Sequence, residues 1–261
     1  MKYKLVAFDF DGTLLNDKKE ISKRNLECLK KLKSIGITIV GVTARNLRSI
    51  KNVCDINLFD YLVLNNGCSI FDITNNQNKS INKLTKDIYS SIYKDVRDIA
   101  REIDFCALNN YYIINSNGYK SNSRIEISNI NEVAEDVCRM NIFIDDEDNL
   151  INIKETLSKK YSNINVFLMD DKQIKDKWLV INPKNIDKSK TLEILGNVLN
   201  ISMNEMMFFG DGLNDIELLK SVGLGVAMEN ASEDVKKAAI DVTLSNEEDG
   251  VADYLERLFT K

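Results

Sequence analysis

The sequence contains no histidine among its 261 residues. This absence excludes the Ser-His and Cys-His pairs that activate many nucleophiles, and it excludes zinc sites built on imidazole ligands. Acid–base chemistry must therefore come from Asp, Glu, Lys, Tyr or Cys side chains. A bound metal would have to accept mainly oxygen ligands, which is the preference of hard cations such as Mg²⁺.

Cysteine is present but scattered. No two of the five cysteines form a CxxC pair, so neither a zinc site nor a disulfide framework is indicated. They are Cys28, Cys54, Cys68, Cys106 and Cys138. We expect most of them to be small buried hydrophobic residues.

Long hydrophobic runs and an excess of positive charge are also missing. No apolar stretch approaches the roughly 18 residues that a membrane-spanning helix needs, and the N-terminal residues lack the pattern of a secretory signal. The formal net charge of -5 does not favour nucleic acid or an anionic membrane as a partner. The sequence therefore predicts a cytoplasmic protein with no nucleic-acid and no membrane partner.

Strand and helix signals alternate toward both ends of the chain. Short apolar runs at 4–8, 37–42, 61–64 and 206–209 predict buried strands. Ser22 can cap a helix between the first two runs. Because strands separated by helices with short connections pair in parallel, the two ends of the chain predict a Rossmann-like α/β core.

The middle of the chain, from about residue 75 to 183, has a different composition, rich in Asn, Lys and Ile. It begins with a predicted helix whose apolar residues recur every three or four positions: Ile88, Ile92, Val96, Ile99 and Ile103. Several strand-like runs follow. We interpret residues 83–182 as an inserted α+β domain and residues 1–82 with 183–261 as the core, the alternative being one large domain.

Polar residues that could take part in catalysis or ligand binding follow the predicted core strands. They are Asp9 and Asp11 after the first strand, Thr43 after the second, Asp211, Asn214 and Asp215 after the strand at 206–209, and Lys188 just beyond the insert. Ligands of parallel α/β sheets bind at the carboxyl ends of the strands. We therefore expect these distant segments to converge at one edge of the sheet.

Converging carboxylates need a cation, because like charges at close range repel. Mg²⁺ held by Asp9 and Asp211 would offset that repulsion and favour phosphate oxygens. An ionised Asp9 could attack phosphorus, while Asp11 could protonate the leaving oxygen and later activate water. Protonation of the leaving oxygen by Asp11 requires a raised Asp11 pKa, because an ordinary Asp is almost wholly ionised at neutral pH.

Four segments resemble, in order, the motifs of the haloacid dehalogenase superfamily: DFDGTLL at 9–15, VTAR with Thr43, PKNIDKSK with Lys188, and GDGLND at 210–215. The insert resembles the C2 cap of Cof-type sugar phosphatases. Two departures concern substrate fit: Ala44 and Ser189 stand where the family often has glycine.

The resemblance implies a role for each matching residue. It implies Asp9 as nucleophile and Asp11 as acid/base. It implies a Mg²⁺ site made by Asp9, the backbone carbonyl of Asp11, Asp211 and Asp215. It implies phosphate contacts from Thr43, the Ala44 backbone, Lys188 and Asn214.

The expected activity is hydrolysis of a small phosphorylated metabolite, such as a sugar phosphate, by a monomer or weak homo-oligomer. Phosphoryl transfer by a phosphomutase of the same superfamily is the alternative. A phospho-accepting receiver module would also combine Asp, Thr and Lys around Mg²⁺. Asp11 and the insert argue against that third interpretation, because receiver modules are shorter and lack the second carboxylate.

Overall fold

The computed structural model describes residues 2–80, 82–116, 124–171, 176–184 and 186–259. The chain folds into two units, each continuous in space but not in sequence. The first unit combines residues 1–45, 50–79 and 187–261, and the second combines residues 46–49 and 80–186. Among the described helices, none has the length and apolar character needed to cross a membrane.

The elements follow one another in three groups along the chain. The first group is β1 (Leu5–Phe8), α1 (Lys23–Ser34), β2 (Thr38–Val42), α2 (Leu47–Lys51), β3 (Tyr61–Leu64), β4 (Ser69–Asp72) and β5 (Gln77–Ser80). The middle group is α3 (Lys86–Val96), β6 (Glu102–Ala107), β7 (Tyr111–Ile114), β8 (Arg124–Glu126), β9 (Val137–Phe143), α4 (Glu147–Lys160), β10 (Ile164–Asp171) and β11 (Asp176–Pro183). The last group is α5 (Lys188–Leu199), β12 (Met206–Gly210), α6 (Ile216–Ser221), β13 (Leu224–Ala227), α7 (Glu233–Ala238), β14 (Asp241–Val242) and α8 (Gly250–Phe259).

The first unit contains an eight-stranded sheet in the order β14-β13-β12-β1-β2-β3-β4-β5. Pairing is parallel from β14 to β3, and β4 runs antiparallel to β3. Every residue of β1 and β12 is buried, as expected for strands covered on both faces. The predicted parallel α/β core is confirmed, and it brings the ends of β1, β2 and β12 to one edge of the sheet.

Helix α1 shows how local sequence sets the start of a helix in this unit. The Ser22 hydroxyl accepts a hydrogen bond from the Asn25 backbone N–H at 3.1 Å, which caps the helix as predicted. Its buried positions, Asn25, Cys28, Leu29 and Leu32, lie on one face at helical spacing. That stripe packs the helix against the core.

The second unit contains a six-stranded sheet in the order β10-β11-β9-β6-β7-β8. All described pairs are antiparallel except β7 with β8. Buried residues of α3 and α4 pack on one face of this sheet. The prediction of a helix reaching Ile103 is wrong: α3 ends at Val96, and Ile103 lies in β6 with its side chain in the core. The isoleucine spacing fits a helix and a strand equally well at that point.

Strand β6 also carries a buried polar face. Glu102, Asp104 and Cys106 alternate with the core residues of the strand and are 2%, 4% and 0% exposed. The Asn141 amide donates to Asp104 Oδ2 at 3.4 Å, and Arg124 donates to Glu102 at 2.9 Å. Asp104 Oδ1 accepts no hydrogen bond within the described part of the chain. A carboxylate in this setting is costly to ionise.

Candidate active site

The loop that follows β1 is fixed by contacts with the loop that follows β12. Gly12 has a φ of +79°, and a Cβ at this position would overlap the Asp211 carboxylate. The Thr13 hydroxyl donates to Asp211 Oδ1 at 2.8 Å. The chain therefore needs glycine here, both for the left-handed turn and for the close approach of the two loops.

Lys188 is buried among carboxylates at the start of α5. Asp187 caps the helix by accepting from the Lys190 N–H at 2.8 Å. The Lys188 ammonium is 3% exposed and donates to Asp9 Oδ1 at 2.6 Å and to Asp215 Oδ1 at 2.7 Å. Burial acts to lower its pKa, but Asp215 and Asp9 outweigh burial and raise it. Lys188 is thus held charged in the interior by its two partners.

Three carboxylates converge around this ammonium. Asp9, Asp211 and Asp215 each offer one oxygen, and these oxygens lie within 4.8 Å of one another. Burial, together with the neighbouring Asp215 and Asp211, raises the pKa of Asp9 above its ordinary value despite the opposing Lys188. Burial also raises the pKa of Asp211 to about 6, although the Thr13 hydrogen bond opposes this rise. The oxygen-only donors and their mutual repulsion fit a hard divalent cation such as Mg²⁺.

Asp215 supports the same cluster from within its own loop. It is fully buried, and its Oδ2 accepts the backbone N–H groups of Gly212 at 2.9 Å and Asp211 at 3.2 Å. Its other oxygen accepts from Lys188. Asp215 therefore ties the β12 loop to the start of α5.

The contacts of Asp11 differ from those expected from the sequence. Arg45 donates to both of its oxygens, from Nε at 2.7 Å and from Nη2 at 2.8 Å, and Lys19 lies 2.9 Å from Oδ1. Burial acts to raise its pKa, but the hydrogen bonds and charges of Arg45 and Lys19 prevail and lower it to about 2. The expected rise in the Asp11 pKa is wrong for this arrangement. The Asp11 carboxylate also lies outside the three-carboxylate group.

Thr43 and Ala44 follow β2 at the same edge of the sheet. Thr43 is 2% exposed, its N–H donates to the Val63 carbonyl at 2.9 Å, and its hydroxyl accepts from the Arg45 N–H at 3.1 Å. Ala44 does not have a positive φ. The alanine that stands at a frequent glycine position is therefore free of backbone strain.

Asn214 lies in a short 3₁₀ turn, Leu213–Asp215, and its Nδ2 donates to Asn66 Oδ1 at 3.1 Å. Asn66 in turn donates its backbone N–H to the Thr43 carbonyl at 3.0 Å. The structure thus links Asn214 and Thr43 through the turn after β3, and it links Asp9, Asp211, Asp215 and Lys188 directly.

The sequence did not predict the side-chain contacts that four residues make at this site: Thr13, Lys19, Arg45 and Asn66. Thr13 and Arg45 stand inside the quoted motifs DFDGTLL and VTAR, and Asn66 follows the third predicted strand. Their positions at strand ends were the available signal. Lys19 carries no comparable signal.

Comparisons with known proteins find relatives along the whole chain. Residues 6–255 match the model of a family described as haloacid dehalogenase-like hydrolases. The Bacillus subtilis protein named 5-amino-6-(5-phospho-D-ribitylamino)uracil phosphatase YcsE is 30% identical, over 95% of this chain and 93% of its own length. A haloacid dehalogenase-like hydrolase from Bacteroides thetaiotaomicron is 30% identical in its crystal structure, with a TM-score of 0.84 over 98% of this chain and 100% of that one. The HAD subclass IIB sugar phosphatase BT4131 shares the fold, with 21% identity and a TM-score of 0.75 over 98% of each chain.

Proposed function

The chain belongs to the haloacid dehalogenase-like hydrolase family and is a phosphatase, and we propose that it hydrolyses a sugar phosphate or sugar-alcohol phosphate with the help of Mg²⁺. The observation that carries this proposal is the buried Lys188 ammonium between Asp9 and Asp215, beside the third carboxylate of Asp211. The carboxylate oxygens of this arrangement can bind a metal cation, and the Lys188 ammonium can bind a phosphoryl oxygen.

Asp9 is the proposed nucleophile. Lys188 holds its Oδ1, which leaves Oδ2 to attack the phosphorus of the ester. A bond forms between this oxygen and phosphorus, and the bond from phosphorus to the leaving oxygen breaks. A water molecule then attacks the aspartyl-phosphate, which releases inorganic phosphate and restores Asp9.

Asp11 is the proposed acid and base, donating a proton to the leaving oxygen and then taking one from the attacking water. Its ion pairs with Arg45 and Lys19 keep it ionised, so these contacts must open before Asp11 can carry a proton. The guanidinium fork binds carboxylate and phosphate with the same geometry. A phosphate ester competes with Asp11 for Arg45, and the negative charge of the ester favours protonation of the released carboxyl.

Asp9 and Asp211 would hold Mg²⁺, with Asp215 and the backbone carbonyl of Asp11 as the further groups that the family resemblance implies. When bound, the ion offsets the negative charge of the carboxylates and of the phosphoryl group. Thr13 keeps Asp211 oriented through its 2.8 Å hydrogen bond.

The remaining phosphoryl oxygens would be bound by Thr43, the Ala44 N–H, Lys188 and Asn214. The burial of Lys188 supports this assignment, since an ammonium removed from bulk water attracts a phosphate oxygen more strongly. We assign the choice of the organic group to residues 83–182 as the cap. The sugar-alcohol class is favoured by the ribityl phosphate in the name of the 30% identical relative.

A phosphate-release screen tests the proposal. The panel contains sugar phosphates, sugar-alcohol phosphates, nucleotides, pyridoxal phosphate and flavin mononucleotide, each with and without Mg²⁺. We expect Mg²⁺-dependent release from the first two groups, loss of release in Asp9→Ala, and unchanged release in the control Asp98→Asn, whose carboxylate is 85% exposed. Release that is equal in Asp9→Ala, or independent of Mg²⁺, would contradict the mechanism.

A further inference from the structure

The turn after β3 contains three consecutive residues in the left-handed region. The φ angles are 54° at Asn65, 55° at Asn66 and 97° at Gly67. Asparagine tolerates this conformation better than most residues, but two in succession before a glycine are unfavourable. Such backbone persists where surrounding contacts hold it, and those places are often functional.

Two backbone hydrogen bonds connect this turn to the loop after β2. The Asn65 N–H donates to the Arg45 carbonyl, and the Asn66 N–H donates to the Thr43 carbonyl, both at 3.0 Å. The left-handed backbone makes these two N–H groups available side by side. They fix the course of the chain at Thr43 and Arg45.

The same turn packs against the start of α5. The Thr191 hydroxyl donates to the Gly67 carbonyl at 2.5 Å. A Cβ on Gly67 would overlap the Asp187 carbonyl oxygen. Gly67 therefore allows the close approach that seats the first turn of the helix carrying Lys188.

The side chain of Asn66 makes the third connection. Its Oδ1 accepts from Asn214 Nδ2 at 3.1 Å. In this contact the amide nitrogen of Asn214 faces Asn66, because an amide oxygen accepts hydrogen bonds and does not donate them. The second N–H of that amide then points in a defined direction.

We propose that Asn66 is a positioning residue, which orients the Asn214 carboxamide for a phosphate oxygen while its backbone holds Thr43. The inference rests on the proposed function, in which Asn214 and Thr43 contact the phosphoryl group. It adds the turn Asn65–Gly67 as the element that sets the relative positions of these groups and Lys188.

The key variant is Asn66→Gly, because glycine adopts the left-handed backbone freely and removes only the carboxamide. We expect the KM for the best ester of the screen and the inhibition constant of inorganic phosphate to rise about ten-fold, as for loss of one hydrogen bond to a charged group. The thermal midpoint should stay within about 2 °C of the wild type. The matched control is Asn76→Gly, the same replacement at an exposed left-handed asparagine with φ 49°.

A double-mutant cycle with Asn214→Ala separates positioning from a general structural role. If Asn66 acts through Asn214, the double variant Asn66→Gly/Asn214→Ala has the same KM as Asn214→Ala alone. Additive effects, or an Asn66→Gly enzyme with wild-type KM and phosphate inhibition, would overturn the inference while leaving the phosphatase proposal intact. A wild-type protein that neither releases nor binds phosphate would instead remove the proposed function.

Discussion

Replacement of Asp104 by asparagine should change how the stability of the second unit depends on pH. Burial raises the pKa of Asp104 from its ordinary 3.8 to about 7; Arg124 opposes that rise and Glu102 adds to it. The carboxyl is 4% exposed, and Asn141 is its hydrogen-bond donor at 3.4 Å. In the folded protein this carboxyl stays protonated until about pH 7, whereas in the unfolded chain it ionises near pH 3.8.

The sign and size of the effect follow from proton linkage. Between these two pKa values the folded state binds the additional proton, so the stabilisation is complete below pH 3.8 and is lost as pH rises to about 7. Each pH unit in that interval is worth about 1.4 kcal/mol. Between about pH 5 and pH 8 the free energy of unfolding of the wild type should therefore fall by about 3 kcal/mol, because the slope ends near pH 7. The free energy of unfolding of Asp104→Asn should not show this fall.

The single tryptophan makes this measurable by urea titration. Trp178 lies in β11 of the same sheet, stacked on Phe143 at 5.6 Å between ring centroids, so its fluorescence reports unfolding of the second unit. The exposed-site variant Asp98→Asn serves as control and should retain the wild-type pH dependence. Parallel curves of unfolding free energy against pH for wild type and Asp104→Asn would refute the reasoning that burial keeps this carboxyl neutral.

Two further predictions concern the candidate site. Lys188→Met leaves the buried carboxylates of Asp9 and Asp215 without their shared cation. We therefore expect phosphate release to fall at least about a hundred-fold and the first unit to lose about 3–5 kcal/mol of stability. Hydrogen exchange of β1 and β12 measures the loss of stability, and protection equal to that of the wild type would contradict this prediction. Thr13→Val removes the hydrogen bond that orients Asp211, so the Mg²⁺ concentration for half-maximal activity should rise about ten-fold. The control Thr13→Ser keeps the hydroxyl and should stay close to the wild type. Equal Mg²⁺ requirements in all three proteins would show that the hydroxyl does not matter.

The parallel core could be predicted from sequence because its signals are local and mutually consistent. The apolar runs of β1 and β12 are short and bounded by polar turns, and Ser22 caps α1 as expected. The end of α3 could not be predicted in this way. Ile99 and Ile103 continue the helical spacing beyond Val96, but Ile103 is buried through strand pairing with Ile114 and Ile142, which are distant in sequence.

The candidate site likewise has a part that could be predicted from the sequence and a part that could not. The carboxylates and Lys188 could be proposed because they stand at strand ends within recognisable motifs. The ion pair between Arg45 and Asp11 could not, because the position of Arg45 after β2 places it near the site but does not show which carboxylate it contacts. As a result the pKa of Asp11 is lowered, whereas its expected role as acid and base required a raised pKa.

The central claim is that Asp9 carries the phosphoryl group during turnover, and acid quenching tests it most directly. The enzyme is mixed with Mg²⁺ and an excess of its best ester, quenched during steady turnover, digested and analysed by mass spectrometry. We expect one phosphoryl group on the peptide that contains Asp9 and none in Asp9→Ala. A phosphoryl group on another residue, or continued phosphate release by Asp9→Ala, would contradict it.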